Sequence, residues 1–291
     1  MSTETLDILA KIETMMPGFS KGQKQIGRYM LEHYDKAAFM TASKLGAVVN
    51  VSESTVVRFA DELGFDGYPE LQRSLQELIR TKLTSVQRIE IANDRIQDGN
   101  VLDRILTSDI EKIRATMERI DHAAFDRAVD IIVNADHIYV SGMRSASLLS
   151  GFMGYYFSLM FPNVHTVSAT SSSEMFEQLF RITEGDVLIG VSFPRYSKRI
   201  INAMDYARSH GAETIAITDS EQSPIAPDAS CLLLARSDMA SFADSYVAPL
   251  SVINALIAAV SMKKRREVSE TFAKLEAAWD EYDVYAKNGK S

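Results

Sequence analysis

The chain has 291 residues, of which 46% are hydrophobic and 24% charged, and a formal net charge of −8. That length gives room for two ordinary domains, and the acidic balance excludes a protein that coats nucleic acid indiscriminately, a mode that runs on excess positive charge. A specific reader with a few contacts on one small face is still allowed.

The opening, MSTETLDILAKIE, carries charges and no continuous apolar run, so no secretory signal is expected there. Residues 1–82 then read as short helices with tight turns. KGQKQIGRYMLEHY places Ile26, Tyr29, Met30 and Tyr34 at helical spacing, and TASKLGAVVN predicts a second short helix. SESTVVRFADEL predicts a third, stopping at Gly64 before a turn at Gly67. YPELQRSLQELIRTKL predicts a fourth, with Leu71, Leu75, Leu78 and Ile79 on one face. Residues 83–100, ending in Asp98-Gly99-Asn100, are the expected linker.

Residues 101–291 form the second expected domain. Helical patterns run from Val101 to Ile120 and from His122 to Asn134. The period then changes to short apolar runs, 137–141, 164–167, 187–192, 214–218 and 231–235, each separated by enough chain for a crossover. Such an alternation predicts a parallel sheet covered by helices on both faces, with ligands bound outside the carboxyl ends of the strands. Cys231, the one cysteine, lies within the last run, which excludes a disulfide framework and a cysteine-rich metal site. The uncharged stretch from Tyr246 to Met262 contains Pro249 and Asn254 and is short for a bilayer span of about 20 residues. It reads as a buried helix that also supplies a subunit contact, and KKRR (263–266) closes it where the helix dipole favours cations. The expectation is a cytoplasmic protein without a membrane segment, metal or cofactor.

Two places carry chemistry. In residues 41–68 a helix, a four-residue turn and a second helix make the arrangement that lets the second helix enter a DNA major groove. Leu45, Val48 and Val51 are expected to pack against Val56, Val57 and the Phe59–Ala60 side. Ser52, Ser54, Thr55 and Arg58 then face outward at the start of the second helix. Ser52 suits an N-cap, a helix start suits phosphate, and Arg58 can grip a guanine bidentately. Residues 1–82 carry a net charge of −1, so a DNA-binding face needs Lys21, Lys24, Lys44, Arg58 and Arg73 gathered on one side. A small helical bundle with polar caps is the alternative. The second place is the set of strand ends. VSGMRSASLLSG (140–151) puts Gly142 after a strand and serines at a helix start, where N–H groups and hydroxyls can meet phosphate. SATSSSEMFEQL offers Ser171, Ser172, Ser173 and Glu174, with capping as the default role.

VSESTVVRFADELGFDGYPELQ resembles the recognition-helix stretch of the RpiR family of bacterial transcription regulators, and SKGQKQIGRYMLEHYDKAAFMTASKLG resembles the family's first helices. The resemblance covers nearly the whole chain. It implies a fold of α/β class: a small all-helical helix-turn-helix domain followed by a flavodoxin-like parallel-sheet SIS (sugar isomerase) domain that senses phosphorylated sugars. SIS domains typically carry Gly-x-Gly-x-Ser after the first strand and Ser-x-Ser-Gly-x-Thr after the third. This chain departs from both. Arg144 stands at the second glycine, with Ser145 and Ser147 either side of the expected serine. After the third strand Ser192 and Ser197 match the outer hydroxyls, and Pro194 and Arg195 replace serine and glycine. Guanidinium forks suit phosphate or carboxylate, so an anionic effector is expected at Gly142, Arg144, Ser145, Ser147, Ser192, Arg195 and Ser197. Ser245 and Asn254 stand at the family's usual serine and aspartate in the final helix.

The SIS fold also serves aldose–ketose isomerases, which need an acid/base pair. Glu174, His165 and His210 are the possible players, and none stands at a strand end in a motif. The sequence therefore reads as a DNA-binding regulator with a sugar-phosphate effector and no catalytic residues. The expected partners are a double-stranded DNA operator and further copies of the chain, as a homodimer or homotetramer. A sugar-phosphate isomerase with an accessory helical domain is the alternative.

Overall fold

The computed structural model describes residues 8–82, 86–89, 100–227, 229–239 and 243–285. Its first segment runs as α1 (Ile8–Met15), α2 (Lys21–Glu32), α3 (Tyr34–Ala37), α4 (Ala42–Val49), α5 (Glu53–Glu62) and α6 (Gly67–Lys82). The chain divides into two compact units, Met1–Gly99 and Asn100–Ser291. The expected linker, 83–100, lies mostly outside the described residues.

Polar caps start these helices. Ser20 and Gln23 form a reciprocal capping box on α2, and Thr41 caps α4. The helical spacing expected to run through Tyr34 breaks at His33 (φ −135°, ψ 39°), and the one-turn α3 follows. Ile12, Ile26, Met30, Leu45, Val56, Phe59, Leu71 and Leu75 are buried and make the core of this unit. The Phe19 and Phe59 rings meet at 5.1 Å. Three side chains one turn apart on α6 grip the segment before α4. Tyr68 Oη donates to the Met40 carbonyl (2.9 Å), Gln72 Nε2 to the same oxygen (2.8 Å) and Gln76 Nε2 to the Ala38 carbonyl (2.8 Å). These bonds satisfy carbonyls that the short α3 leaves without helical partners.

The second unit begins with α7 (Val101–Arg119), capped by Asn100, and α8 (His122–Asn134), capped by Asp121. The αβ units follow: β1 (Ile138–Gly142), α9 (Ser147–Ser158), β2 (Val164–Val167), α10 (Ser172–Leu179), β3 (Val187–Val191), α11 (Lys198–Ser209), β4 (Glu213–Thr218) and β5 (Cys231–Leu234). Two helices close the unit, α12 (Val247–Lys263) and α13 (Arg265–Glu281), bent by 98° from each other. The sheet is parallel throughout in the order β2-β1-β3-β4-β5, the flavodoxin-like order.

Alternation along the strands builds two cores. Ile138, Val140, Val187, Ile189 and Val191 face a layer that includes Ile132, Met153, Phe157, Leu256 and Val260 from α8, α9 and α12. Tyr139, Leu188 and Ala216 face Met175, Leu179, Ile200 and Met204 from α10 and α11. The chain leaves β1 for β2 on one side and continues from β3 to β4 on the other. Gly142 pairs with Val191, so the carboxyl ends of β1 and β3 stand side by side at this switch point. No single helix among the described residues is long and apolar enough to cross a membrane.

Candidate functional site

In the first unit α4 and α5 enclose a three-residue turn, Asn50 to Ser52, one residue shorter than expected. Asn50 takes the left-handed conformation (φ 56°, ψ 48°) as the C-cap of α4, which asparagine tolerates better than most residues. Leu45, Val56, Phe59 and Ala60 pack as expected, but Val48 is 50% exposed and belongs to the outer surface. Ser52 caps α5 by accepting from Thr55 N (3.3 Å), and its Oγ also lies 2.9 Å from Ser54 Oγ and 2.8 Å from Thr55 Oγ1.

Ser52, Ser54 and Arg58 are exposed, as is Lys44 on α4. Thr55 is not fully outward. It is half-buried, with its methyl group against Gly22 at the start of α2. That contact sets Lys21, exposed, beside the start of α5. Lys24 is half-buried and Arg73 is exposed on α6, and among the described residues no hydrogen bond or ion pair ties either to α5. The exposed acids Asp61 and Glu62 fill the last turn of α5, and Glu62 accepts from Gln23. The first two turns of α5 hold one exposed acid, Glu53, and one exposed base, Arg58, so they are neutral in sum where the last turn is acidic, and theirs is the end that recognition helices present to base edges.

In the second unit the switch point opens as a cleft of about 80 Å³. Its walls come from the loop after β1 (Arg144, Ser145), the loop after β3 (Ser192, Arg195, Ser197) and the segment before α12 (Asp244, Tyr246). Ser192 is buried, and the two arginines are exposed. Both arginines are left-handed, Arg144 at φ 58° and Arg195 at φ 63°. This backbone explains the glycines usual at these positions, because a Cβ in that region costs about 1–2 kcal/mol. Tyr196 anchors the second loop by donating to Asp219 Oδ1 (2.9 Å). Ser197 lines the cleft as the N-cap of α11 and makes no side-chain capping bond, so a helix start without a side-chain cap stands at the cleft wall.

Two of the expected residues support the cleft without lining it. Gly142 is buried, and a Cβ there would come within 2.5 Å of the Ala146 carbonyl oxygen, so only glycine lets the loop fold back over the strand end. Ser147 Oγ donates to the Arg144 carbonyl (2.6 Å) and so helps hold that residue's backbone.

The comparisons fall on the same two regions. The family profile for the helix-turn-helix domain of the rpiR family matches residues 6–82, and that for the SIS domain matches 131–259. The chain belongs to the RpiR family of transcriptional regulators. HexR of Escherichia coli K12, an HTH-type transcriptional regulator, is 23% identical over 285 residues, 95% of each chain. An HTH-type transcriptional regulator of Caldanaerobacter subterraneus subsp. tengcongensis is 26% identical over 269 residues, 90% of this chain and 93% of the relative. Among solved structures, the sugar isomerase domain of an RpiR transcription factor from Sphaerobacter thermophilus is 26% identical with a TM-score of 0.57, over 60% of this chain and 96% of that one. NanR of Vibrio vulnificus, complexed with ManNAc-6P, shares the fold at 20% identity and a TM-score of 0.59, over 97% of this chain and all of that one.

None of the remaining candidates in this RpiR-family regulator lines the cleft. Glu174 accepts from Thr170 N (2.7 Å) and Thr170 Oγ1 (2.8 Å), which holds its carboxyl below the usual range, and Ser171 caps α10. His165 lies inside β2, stacked on Tyr139, with Nε2 3.2 Å from His137 Nδ1. Burial and the neighbouring His137 push its pKa down. His210 is the C-cap of α11, at the opposite end from the cleft. Asn254 is exposed on α12, and Ser245 turns to α7, donating to Asp109 Oδ1 (2.6 Å).

Sequence reasoning missed Asp244 and Tyr246. The Tyr246 hydroxyl lies 2.9 Å from Ser145 Oγ, and its ring packs against Phe193 at 5.4 Å, tying the two loops together. These residues precede a helix instead of following a strand, so the strand-end rule does not point to them.

Proposed function

We propose that the regulator binds a double-stranded DNA operator through Lys44, Ser52, Ser54, Thr55 and Arg58, and that a phosphorylated sugar or sugar acid in the cleft alters that binding. Residues 1–82 then act as the DNA-binding domain, 83–100 as the linker and 101–291 as the effector domain. The observation that carries this reading is the pair of arginines held left-handed at one cleft. Strained backbone of this kind concentrates at functional sites, and glycine would occupy either position without the penalty. The start of α11, without a side-chain cap, adds a second feature suited to an anion. NanR, which shares the fold, holds ManNAc-6P, and this agrees with a sugar-phosphate effector here. The cleft is small beside the roughly 300–1,000 Å³ of typical ligand pockets. It suits one compact anionic group, with the sugar lying towards the mouth.

A DNA reader of this kind works in the cytoplasm as a homodimer or homotetramer, because two-fold protein symmetry matches an inverted-repeat operator. A gel-shift with the DNA upstream of the gene, with and without a panel of sugar phosphates and phosphorylated sugar acids, tests the reading. A specific complex whose affinity changes with one of these compounds is the expected result. No specific complex at any salt concentration would remove it.

A further inference from the structure

Helix α7 is amphipathic the wrong way round for a helix on the outside of a domain. Its inner side is polar: Lys112 is 4% exposed and donates to Ser108 Oγ (2.7 Å) and Asp109 Oδ1 (3.2 Å), and Thr116 Oγ1 accepts from Arg236 N (2.9 Å). Its outer side is apolar. Leu102, Leu106, Ile110, Ile113 and Met117 are 38–65% exposed and recur every three or four residues as one stripe. Scattered exposed leucines need no explanation, but a contiguous run of five along four turns marks an interaction surface.

We infer that this stripe is the contact between two copies of the chain, with the two α7 helices antiparallel about a two-fold axis that passes beside Ile110. The inference deepens the oligomer reading above and rests on it. Three observations select a second copy as the occupant. The stripe is self-complementary in register: an axis beside Ile110 sets Leu106 of one copy against Ile113 of the other, and Leu102 against Met117. The flanking charges also match, because the same axis brings Asp103 within one turn of Arg114 on the opposite helix, and the reciprocal pair forms by symmetry. Finally, two such stripes, half out of water in each copy, reach the lower end of what a specific interface buries, roughly 1,000 Å² in total. The inner polar anchors hold the helix with this face outward. Asp109 accepts from Ser245 and Thr116 from Arg236 N, and rolling the stripe inward would break both of these bonds to the rest of the unit.

The test uses the full-length protein. Sedimentation velocity is run on the wild type and on Ile110→Glu, which sets two carboxylates against each other at the axis. Ile110→Cys and Leu102→Cys are oxidised separately, Cys231 being buried and slow to react. The expected results are a wild-type dimer, at least 100-fold weaker association in Ile110→Glu, and a disulfide-linked dimer from Ile110→Cys but not from Leu102→Cys. A dimeric wild type whose Ile110→Cys variant labels freely without cross-linking would overturn the α7 contact and leave the oligomer reading intact. A dimer in which the thiol introduced by Ile110→Cys neither cross-links nor accepts a label would mean that another segment of the same chain covers the stripe, and this too would overturn it. A monomeric wild type would remove both readings together.

Discussion

Arg144 shows at the level of one residue how a backbone and a side chain can pull in opposite directions. Its left-handed φ of 58° favours glycine, yet the chain carries an arginine whose side chain lines the cleft. Arg144→Gly should therefore leave the fold intact. Relief of about 1–2 kcal/mol of strain offsets the glycine's extra entropy of about 0.5–1 kcal/mol. The melting temperature should stay level or rise by a few degrees, about 2–4 °C per kcal/mol for a unit of this size. Effector affinity, measured by calorimetry, should fall by about 1.5–3 kcal/mol, the worth of a charged hydrogen bond. A variant that melts well below the wild type would make the arginine a structural residue instead. The same logic of an exposed, unburied side chain applies to Arg58, one turn into α5. Arg58→Ala should weaken specific DNA binding by about 1–3 kcal/mol if the guanidinium reads a base. Unchanged affinity in a folded variant would move the base contact elsewhere on the helix.

Among the elements, α6 helps to hold the helix-turn-helix in place, through Tyr68, Gln72 and Gln76 on the carbonyls before α4. Burial pushes the Tyr68 hydroxyl up to about 12, from 10.0. The folded state therefore keeps a proton that the unfolded chain releases first. The stabilisation is fully present below pH 10 and is lost as pH rises towards 12. Other tyrosines and lysines titrate in the same window, so the informative quantity is the difference between two proteins. Tyr68→Phe should lower stability at pH 8 by about 1 kcal/mol, the lost hydrogen bond. The gap between variant and wild type should then close between pH 10 and 12, followed by thermal melts of the first unit. A gap that stays constant across that range would show that Tyr68 ionises without cost.

At the scale of the whole molecule, α7 is the first helix after the boundary between the two units, and its N-cap Asn100 opens the second unit. On its inner side α7 is bonded to Ser245, between the cleft residues Asp244 and Tyr246. A ligand that draws this segment towards Ser145 has a mechanical route to α7. Coupling of this kind is reciprocal, so effector and DNA must change each other's affinity by the same factor, typically about 5–150-fold. Arg195→Ala should abolish the effector's influence on a gel-shift titration while ligand-free DNA binding stays within about twofold, well inside a coupling of that size. Loss of DNA binding in the absence of any effector would show that Arg195 acts on the fold and not on the coupling.

The local patterns carried much of this protein. The five apolar runs became the five strands, because a parallel sheet buried on both faces leaves nearly every strand position apolar. The VSESTVVRF stretch became a capped helix, because Ser52, the apolar spacing and Arg58 act within two turns of each other. The two loop arginines were legible as departures from glycine, and their placement in one cleft follows from β1 and β3 being neighbours. Other features were decided only by packing. Val48 has the spacing of a core residue and lies at the surface, since α4 rotates to put Leu45 inward. Asp244 and Tyr246 reach the cleft from beyond β5, a separation in sequence over which no periodicity carries information. The hydrophobic pattern of α7 would have put its leucines inside. The fold reverses it, because Lys112, Asp109 and Thr116 find partners in α7 itself and in the segment from Arg236 to Ser245, and burying those groups is tolerable only where hydrogen bonds are waiting. Sequence determines which faces a helix has, and only the tertiary structure decides which of them meets the core.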